Sequence, residues 1–199
     1  MNDRTPEETS LFAQIKTNAF INSISPALKD YVESLPQRIE VMNASTSIKF
    51  HEMFKTADLV FVQAARHSVC VKGCSHCCFQ AVPITNIEAG YIAENIKTPH
   101  VELKKSIRRD VMAFSDKTPC PFLTNDECTI YEDRPLTCRT HVSFDKDSYW
   151  CRFENWDKPG AAVPKPIIQP LWQAYHQFSG RFEPIIGDIR DFFPSGRML

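Results

Sequence analysis

Apolar residues recur every three or four positions through much of the first hundred residues, the period of helices with one buried face. Thr5, Pro6 and Glu8 read as an N-cap, a first-turn proline and a capping box, and Leu11, Phe12, Ile15 and Ala19 follow as a stripe. Ser25-Pro26 repeats the start signal before Leu28, Tyr31, Val32 and Leu35, with Pro36 as the stop. A longer helix is predicted from about Ser47 to Arg66, its stripe formed by Phe50, Met53, Phe54, Ala57, Val60, Phe61 and Ala64. Thr85 and Glu88 predict another capping box, ahead of Ile87, Tyr91, Ile92 and Ile96. Thr98-Pro99 predicts a further helix with Leu103, Ile107, Val111 and Phe114 apolar. Lys104, Lys105, Arg108 and Arg109 would form its solvated face.

The helical period breaks over 118–151, which reads as irregular or weakly β. Residues 124–127 are a predicted turn and Thr129-Ile130-Tyr131 a short strand. Four prolines between Pro159 and Pro170 predict an extended connector, and Pro170 opens a helix through Leu171, Trp172, Tyr175 and Phe178 that Gly180 ends. The expected fold is mainly α: a helical body with an irregular cysteine-rich metal-binding subdomain and little β. Three regions are expected: an N-terminal helical region (1–69), a cysteine-cluster region (70–151) and a C-terminal extension with one helix, packed on the same domain (152–199).

Composition narrows the function classes. Of the 199 residues 43% are hydrophobic and 24% charged, which excludes wholesale disorder. A net charge of −1 gives no basic surface for nucleic acid. No two of the six glycines are spaced as in the phosphate-cradling loops. No run approaches the roughly 20 apolar residues of a membrane span, and no apolar leader follows the N-terminus. The expectation is a cytoplasmic protein that binds neither nucleic acid nor membrane, with its thiols reduced.

Eight cysteines then carry the chemistry. They fall as Cys70-x3-Cys74-x2-Cys77-Cys78 and as Cys120-x7-Cys128-x9-Cys138-x12-Cys151. Thiolates bind zinc or iron, and short spacings let one turn aim two sulfurs at one centre. Adjacent Cys77 and Cys78 are awkward for one ion, so one of them serves a second site, stays free or packs in the interior. The predicted ligands are Cys70, Cys74, Cys77, Cys78, Cys120, Cys128 and Cys138. Cys151 sits among Tyr149, Trp150 and Phe153 and is expected to be buried outside that set.

Cys70-Val-Lys-Gly-Cys74-Ser-His-Cys77-Cys78 resembles the opening motif of the zinc- or iron-chelating cysteine-cluster family, the YkgJ type with a CxxCxxCC domain. Cys120-Pro121-Phe122-Leu123 and Cys128-Thr-Ile130-Tyr131-Glu132-Asp-Arg134-Pro135-Leu-Thr-Cys138-Arg139 are similar to its second signature, and Pro83-Ile84-Thr85-Asn-Ile-Glu88-Ala89 to its linking segment. The family usually has Gly after the second cysteine, where this chain has Ser75; Gly73 lies beside it. The resemblance implies a zinc or iron centre. Some relatives occur as domains in flagellin lysine methylases, a longer architecture than this chain.

Arg134 and Arg139 flank Cys138 and would offset the negative charge of a four-thiolate cluster, or serve as an ion pair or backbone cap. His67, His76 and His141 lie near cysteines and are alternative zinc ligands. The spacing of Cys70, Cys74 and Cys77 is also that of radical S-adenosylmethionine enzymes, but strands do not alternate with helices and Gly-Gly is absent. Two classes of function follow. One is an iron–sulfur (4Fe–4S) protein in electron transfer or redox-assisted modification of a protein partner. The other is a structural zinc module for interaction, with no catalytic activity.

Overall fold

The computed structural model describes residues 5–109, 118–158 and 161–196. Helix makes up 53% and strand 5% of it, which places the chain in the mainly α class. In order the helices are α1 (Pro6–Ser23), α2 (Pro26–Glu33), α3 (Leu35–Val41), α4 (Thr46–Ala65), α5 (Asn86–Ile96), α6 (Leu136–Arg139), α7 (Gln169–Gly180) and α8 (Ile189–Phe192). Four short strands join them: β1 (Pro83–Thr85), β2 (Leu123–Thr124), β3 (Glu127–Cys128) and β4 (Ile186–Asp188).

Helix α4 is the spine. Every member of its predicted stripe is buried, and Phe50 and Met53 are wholly so. Each such side chain contributes about 1.5–3 kcal/mol by leaving water. Phe50 stacks on Tyr91 of α5 and meets Tyr175 and Phe178 of α7 edge-on, which locks three helices together. Helix α3 packs on α7, and α6 on α4.

Three helical expectations are corrected, the third over residues 98–109. The capping box of α1 forms as predicted, but Leu11 and Ile15 are 58% and 57% exposed. The face that packs carries Thr9, Lys16 and Phe20: Trp150 donates to the Thr9 hydroxyl, Lys16 to the Asp145 carbonyl, and Phe20 meets Phe144 edge-on. Pro36 does not end the helical run; it lies in the first turn of α3.

Residues 98–109 are not helical. Their amides are used elsewhere: Val101 donates to the Phe192 carbonyl and Ile107 to that of Ile186, so the segment runs extended beside β4. Arg109 of the predicted basic face pairs with Asp191, while Val111 and Phe114 lie outside the described residues.

Strands β1 and β4 pair antiparallel with Ile84 opposite Gly187, bringing residues 186–196 against the chain just after the first cysteines. An added Cβ at Gly187 would meet the Leu103 side-chain tip at 2.7 Å and the Phe192 ring at 3.1 Å, so the glycine lets the 98–109 strap and α8 pack closely here. The predicted turn at 124–127 joins β2 and β3, with Asn125 and Asp126 both in the left-handed region. The strand predicted at 129–131 lies earlier, at Glu127–Cys128, and Tyr131 opens a 3₁₀ turn.

Candidate metal centre

The first cysteine segment is a chain of tight turns. Cys74 donates its amide to the Val71 carbonyl, and Gly73 supplies the positive φ of +83° that this turn needs. Ser75, where the family usually has glycine, sits at a φ of −108° that any residue adopts, so the departure imposes no backbone strain. Its hydroxyl donates to Asp126 at 2.8 Å, tying the segment to the β2–β3 turn. A 3₁₀ turn over His76–Phe79 presents Cys77 and Cys78.

The second segment meets the first through its backbone. Cys120 donates to the Cys78 carbonyl at 2.7 Å. The β2–β3 hairpin then brings Cys128 back opposite Leu123. Cys138 rides on α6, which follows Pro135. The amide of Leu136, in the first turn of α6, donates to Glu88 Oε1 at 2.8 Å. Glu88 therefore does not close the box predicted for α5, although the Thr85 hydroxyl does accept from its amide. Buried, Glu88 also accepts from the Tyr175 hydroxyl at 2.6 Å, and burial raises its carboxyl to about 7.

The eight thiols are free and form one electrostatically connected group. Cys77 is its hub: its ionisation would raise Cys70, Cys74, Cys128, Cys138 and Cys151, and its own thiol is hydrogen-bonded to Cys78. Around it the others fall into two sets. Cys70, Cys74 and Cys151 interact with one another; so do Cys120, Cys128 and Cys138. The backbone thus joins the two segments that carry the seven predicted ligands, and Cys151 is coupled to Cys70, Cys74 and Cys77. It is buried, as expected, but it is buried in the cluster.

Burial raises the thiols of Cys70, Cys74, Cys128 and Cys138, and lifts Cys120 to about 11 and Cys151 to about 12. Cys77 is raised first by its bond to Cys78 and then by burial. Opposing this, the amides of His76, Phe122 and Ile130 pull down the thiols of Cys74, Cys120 and Cys128 two residues before them. The Ser143 amide donates to the Cys70 sulfur at 3.5 Å. Turns that aim N–H groups at sulfur favour the thiolate a metal requires.

Both arginines cap backbone and approach Asp58, Arg134 donating to the Tyr131 carbonyl at 2.7 Å and lying 3.9 Å from the Asp58 carboxylate. The Arg134 charge is felt by Cys77, Cys128 and Cys138. Arg139 is a buried backbone cap: it donates to the carbonyls of Arg134 and Glu132, pairs with Asp58 and lies over the Phe54 ring. Arg190, which sequence reasoning missed, opposes the rise at Cys120.

Of the three histidines, His141 is held neutral by burial, which lowers it to about 4. The Nε2 atoms of His67 and His141 are buried with no hydrogen-bond partner among the described residues. His76 opens the 3₁₀ turn, half-buried.

Among the described residues no three His, Cys, Asp or Glu side chains already stand in a closed metal-ligating geometry. What the fold sets is the convergence of the two segments, and a donor set of free thiols served by directed amides fits a thiolate-bound metal. No described helix is long and apolar enough to cross a membrane.

Nothing among curated proteins or solved structures matches the chain. Residues 69–154, which hold all eight cysteines, match the CxxCxxCC family model, described as "Putative zinc- or iron-chelating domain". The turns, the hairpin and α6 thus lie within the residues that match this family model.

Proposed function

We propose that the clustered cysteines hold an iron–sulfur cluster and that the protein serves electron transfer or redox-assisted modification of a protein partner. The observation that carries the reading is the joining of the two cysteine segments, Cys120 N–H to the Cys78 carbonyl at 2.7 Å and Ser75 to Asp126 at 2.8 Å, with the Ser143 amide donating to the Cys70 sulfur. Hydrogen bonds to sulfur and a nearby guanidinium are the means by which proteins tune such clusters. Arg134 supplies the guanidinium, and its charge offsets that of an anionic four-thiolate centre. Eight reduced thiols suit a cytoplasmic protein.

A second reading is a structural zinc module. Its support is the placing of the clefts. One of about 500 Å³, between Thr140, Trp172 and His176, and one of about 710 Å³, beside Asp58 and Arg139, have no cysteine in their walls. A closed four-thiolate zinc site needs no opening for substrate.

Anaerobic purification followed by iron, zinc and acid-labile sulfide analysis separates the two. Brown protein with matched iron and sulfide is the expected result. Colourless protein with stoichiometric zinc selects the second reading. Folded metal-free protein with all eight thiols rapidly titratable overturns both.

A further inference from the structure

Arg190 lies on α8, outside the family-matched residues, yet its guanidinium reaches both cysteine segments. Nε donates to the Pro119 carbonyl at 3.1 Å, and Nη2 to the carbonyls of Cys78 at 2.8 Å and Thr118 at 3.2 Å. Nη1 donates to the Gln80 carbonyl at 3.2 Å and to Asp188 Oδ1 at 2.9 Å. A guanidinium has five N–H groups in a rigid planar fork, and among the described residues it makes these five bonds.

The fork is itself held in place. Its side chain is 9% exposed, and that of Asp188 1%. Asp188 caps α8 and accepts from the Val82 amide at 2.6 Å, just beyond the first cysteine segment. Further along, Phe193 packs edge-on against Phe122. Gly196, at a φ of +68°, lies against the Pro121 carbonyl, where an added Cβ would collide. Residues 186–196 therefore grip the Cys120–Phe122 loop from outside while β4 is fixed to β1.

We propose that Arg190 is a positioning residue of the metal centre. It clamps carbonyls of Cys78 and Gln80 on one segment to those of Thr118 and Pro119 on the other, and so sets the distance between the two halves of the thiol set. The inference rests on the metal reading above, and names the part of the chain on which that centre depends beyond its own domain. A buried fork with this many backbone acceptors does what no point charge can, because lysine has neither the reach across two segments nor the planar geometry.

The test uses the full chain as wild type and as Arg190→Lys, Arg190→Ala and Arg109→Ala. Arg109 pairs with Asp191 on the same helix but touches neither cysteine segment in its described bonds, so it controls for loosening of α8. The apo proteins are titrated with Zn(II) in competition with a chromophoric chelator. They are also titrated with Co(II), whose thiolate charge-transfer and ligand-field bands report geometry. Far-UV circular dichroism checks the fold. Supporting groups of metal ligands typically contribute 10–100-fold in affinity. The expected result is a loss of about that size in Arg190→Lys, with altered Co(II) bands and unchanged helix content, while Arg109→Ala keeps wild-type affinity. Should Arg190→Ala fail to fold, the lysine variant decides by the same two readouts. Wild-type affinity and bands in Arg190→Lys, or equal losses in Arg109→Ala, overturn the proposal. Absence of metal binding by the wild type instead removes the metal reading, a distinguishable outcome.

Discussion

The amide of Cys120 donates to the carbonyl of Cys78 at 2.7 Å, joining the two cysteine segments main chain to main chain. A serine at either position leaves that link intact. Cysteine-to-serine variants therefore test ligation with little disturbance of the join. Metal per chain is expected to fall in Cys74→Ser and Cys138→Ser, one from each segment, and also in Cys151→Ser. Full retention in Cys138→Ser would show that the distant segments do not share a centre.

Removing the metal should loosen the whole chain, because the cysteine region is braced by helices on both sides: Trp150 on Thr9 of α1, and Glu88 and Tyr175 behind α6. Where ligands converge only in the folded state, binding energy is folding energy. Scanning calorimetry with and without chelator is expected to show a single transition that moves to lower temperature. An unmoved transition in protein proven to be stripped would make the site peripheral.

Metal uptake should release protons. The thiols of Cys70, Cys74, Cys120, Cys128, Cys138 and Cys151 stand above their ordinary range through burial, and that of Cys77 through its bond to Cys78 and burial. They are protonated near neutrality and must lose those protons to bind. Affinity is therefore expected to rise with pH, by about tenfold per pH unit for each proton released. Competition titrations at pH 6, 7 and 8 measure the slope, and a flat profile would refute it.

Glu88 predicts a pH effect of opposite sign on stability. Its carboxyl is raised from 4.5 to about 7 by burial. Between those values the folded chain keeps a proton that the unfolded chain releases, so this contribution falls as pH rises through the window and is level above it. Its full extent is about 3 kcal/mol. Glu88→Gln stays neutral and should gain on the wild type by up to that amount between pH 4.5 and 7.5. Urea unfolding of both proteins at several pH values checks it, and parallel profiles would exclude the mechanism.

Arg139→Lys tests the buried cap. The guanidinium is 4% exposed at its side chain and serves two carbonyls and Asp58. Loss of the fork leaves buried acceptors short of donors, and about 2–4 kcal/mol of stability should go with it. Chemical denaturation reads this directly, and a change below about 0.5 kcal/mol, the range of an ordinary surface site, would contradict it.

The elements legible in the sequence are those whose signal is local. The apolar stripe of α4, the proline start and glycine end of α7, and the turn at 124–127 each carry their own pattern. The cysteine spacing also marked the region that gathers the thiols. What stayed hidden is set by partners far along the chain. Strands β1 and β4 have three residues each, too few for a period to show. The Thr98-Pro99 start signal is sound, but the amides of Val101 and Ile107 find acceptors on the 186–192 segment instead of in a helix. The exposed stripe of α1 is a true helical pattern on the side that does not pack. Cys151 looked like an aromatic-bound core residue because nothing local reveals Cys70 and Cys74 beside it. Arg190 gives no signal of its own, although the Asp188 and Asp191 spacing around it is that of the capping box that forms.

The pairing of β1 with β4 also has a bearing on the order of events during synthesis. A ribosome delivers all eight cysteines before it delivers the strand and arginine that hold their backbones in register. Chains fold from the N-terminal side as they emerge, so the thiols spend that interval without their outer clamp. The clamp forms only once residues 186–190 have emerged, and a chain stalled before residue 186 would leave the two cysteine segments without it.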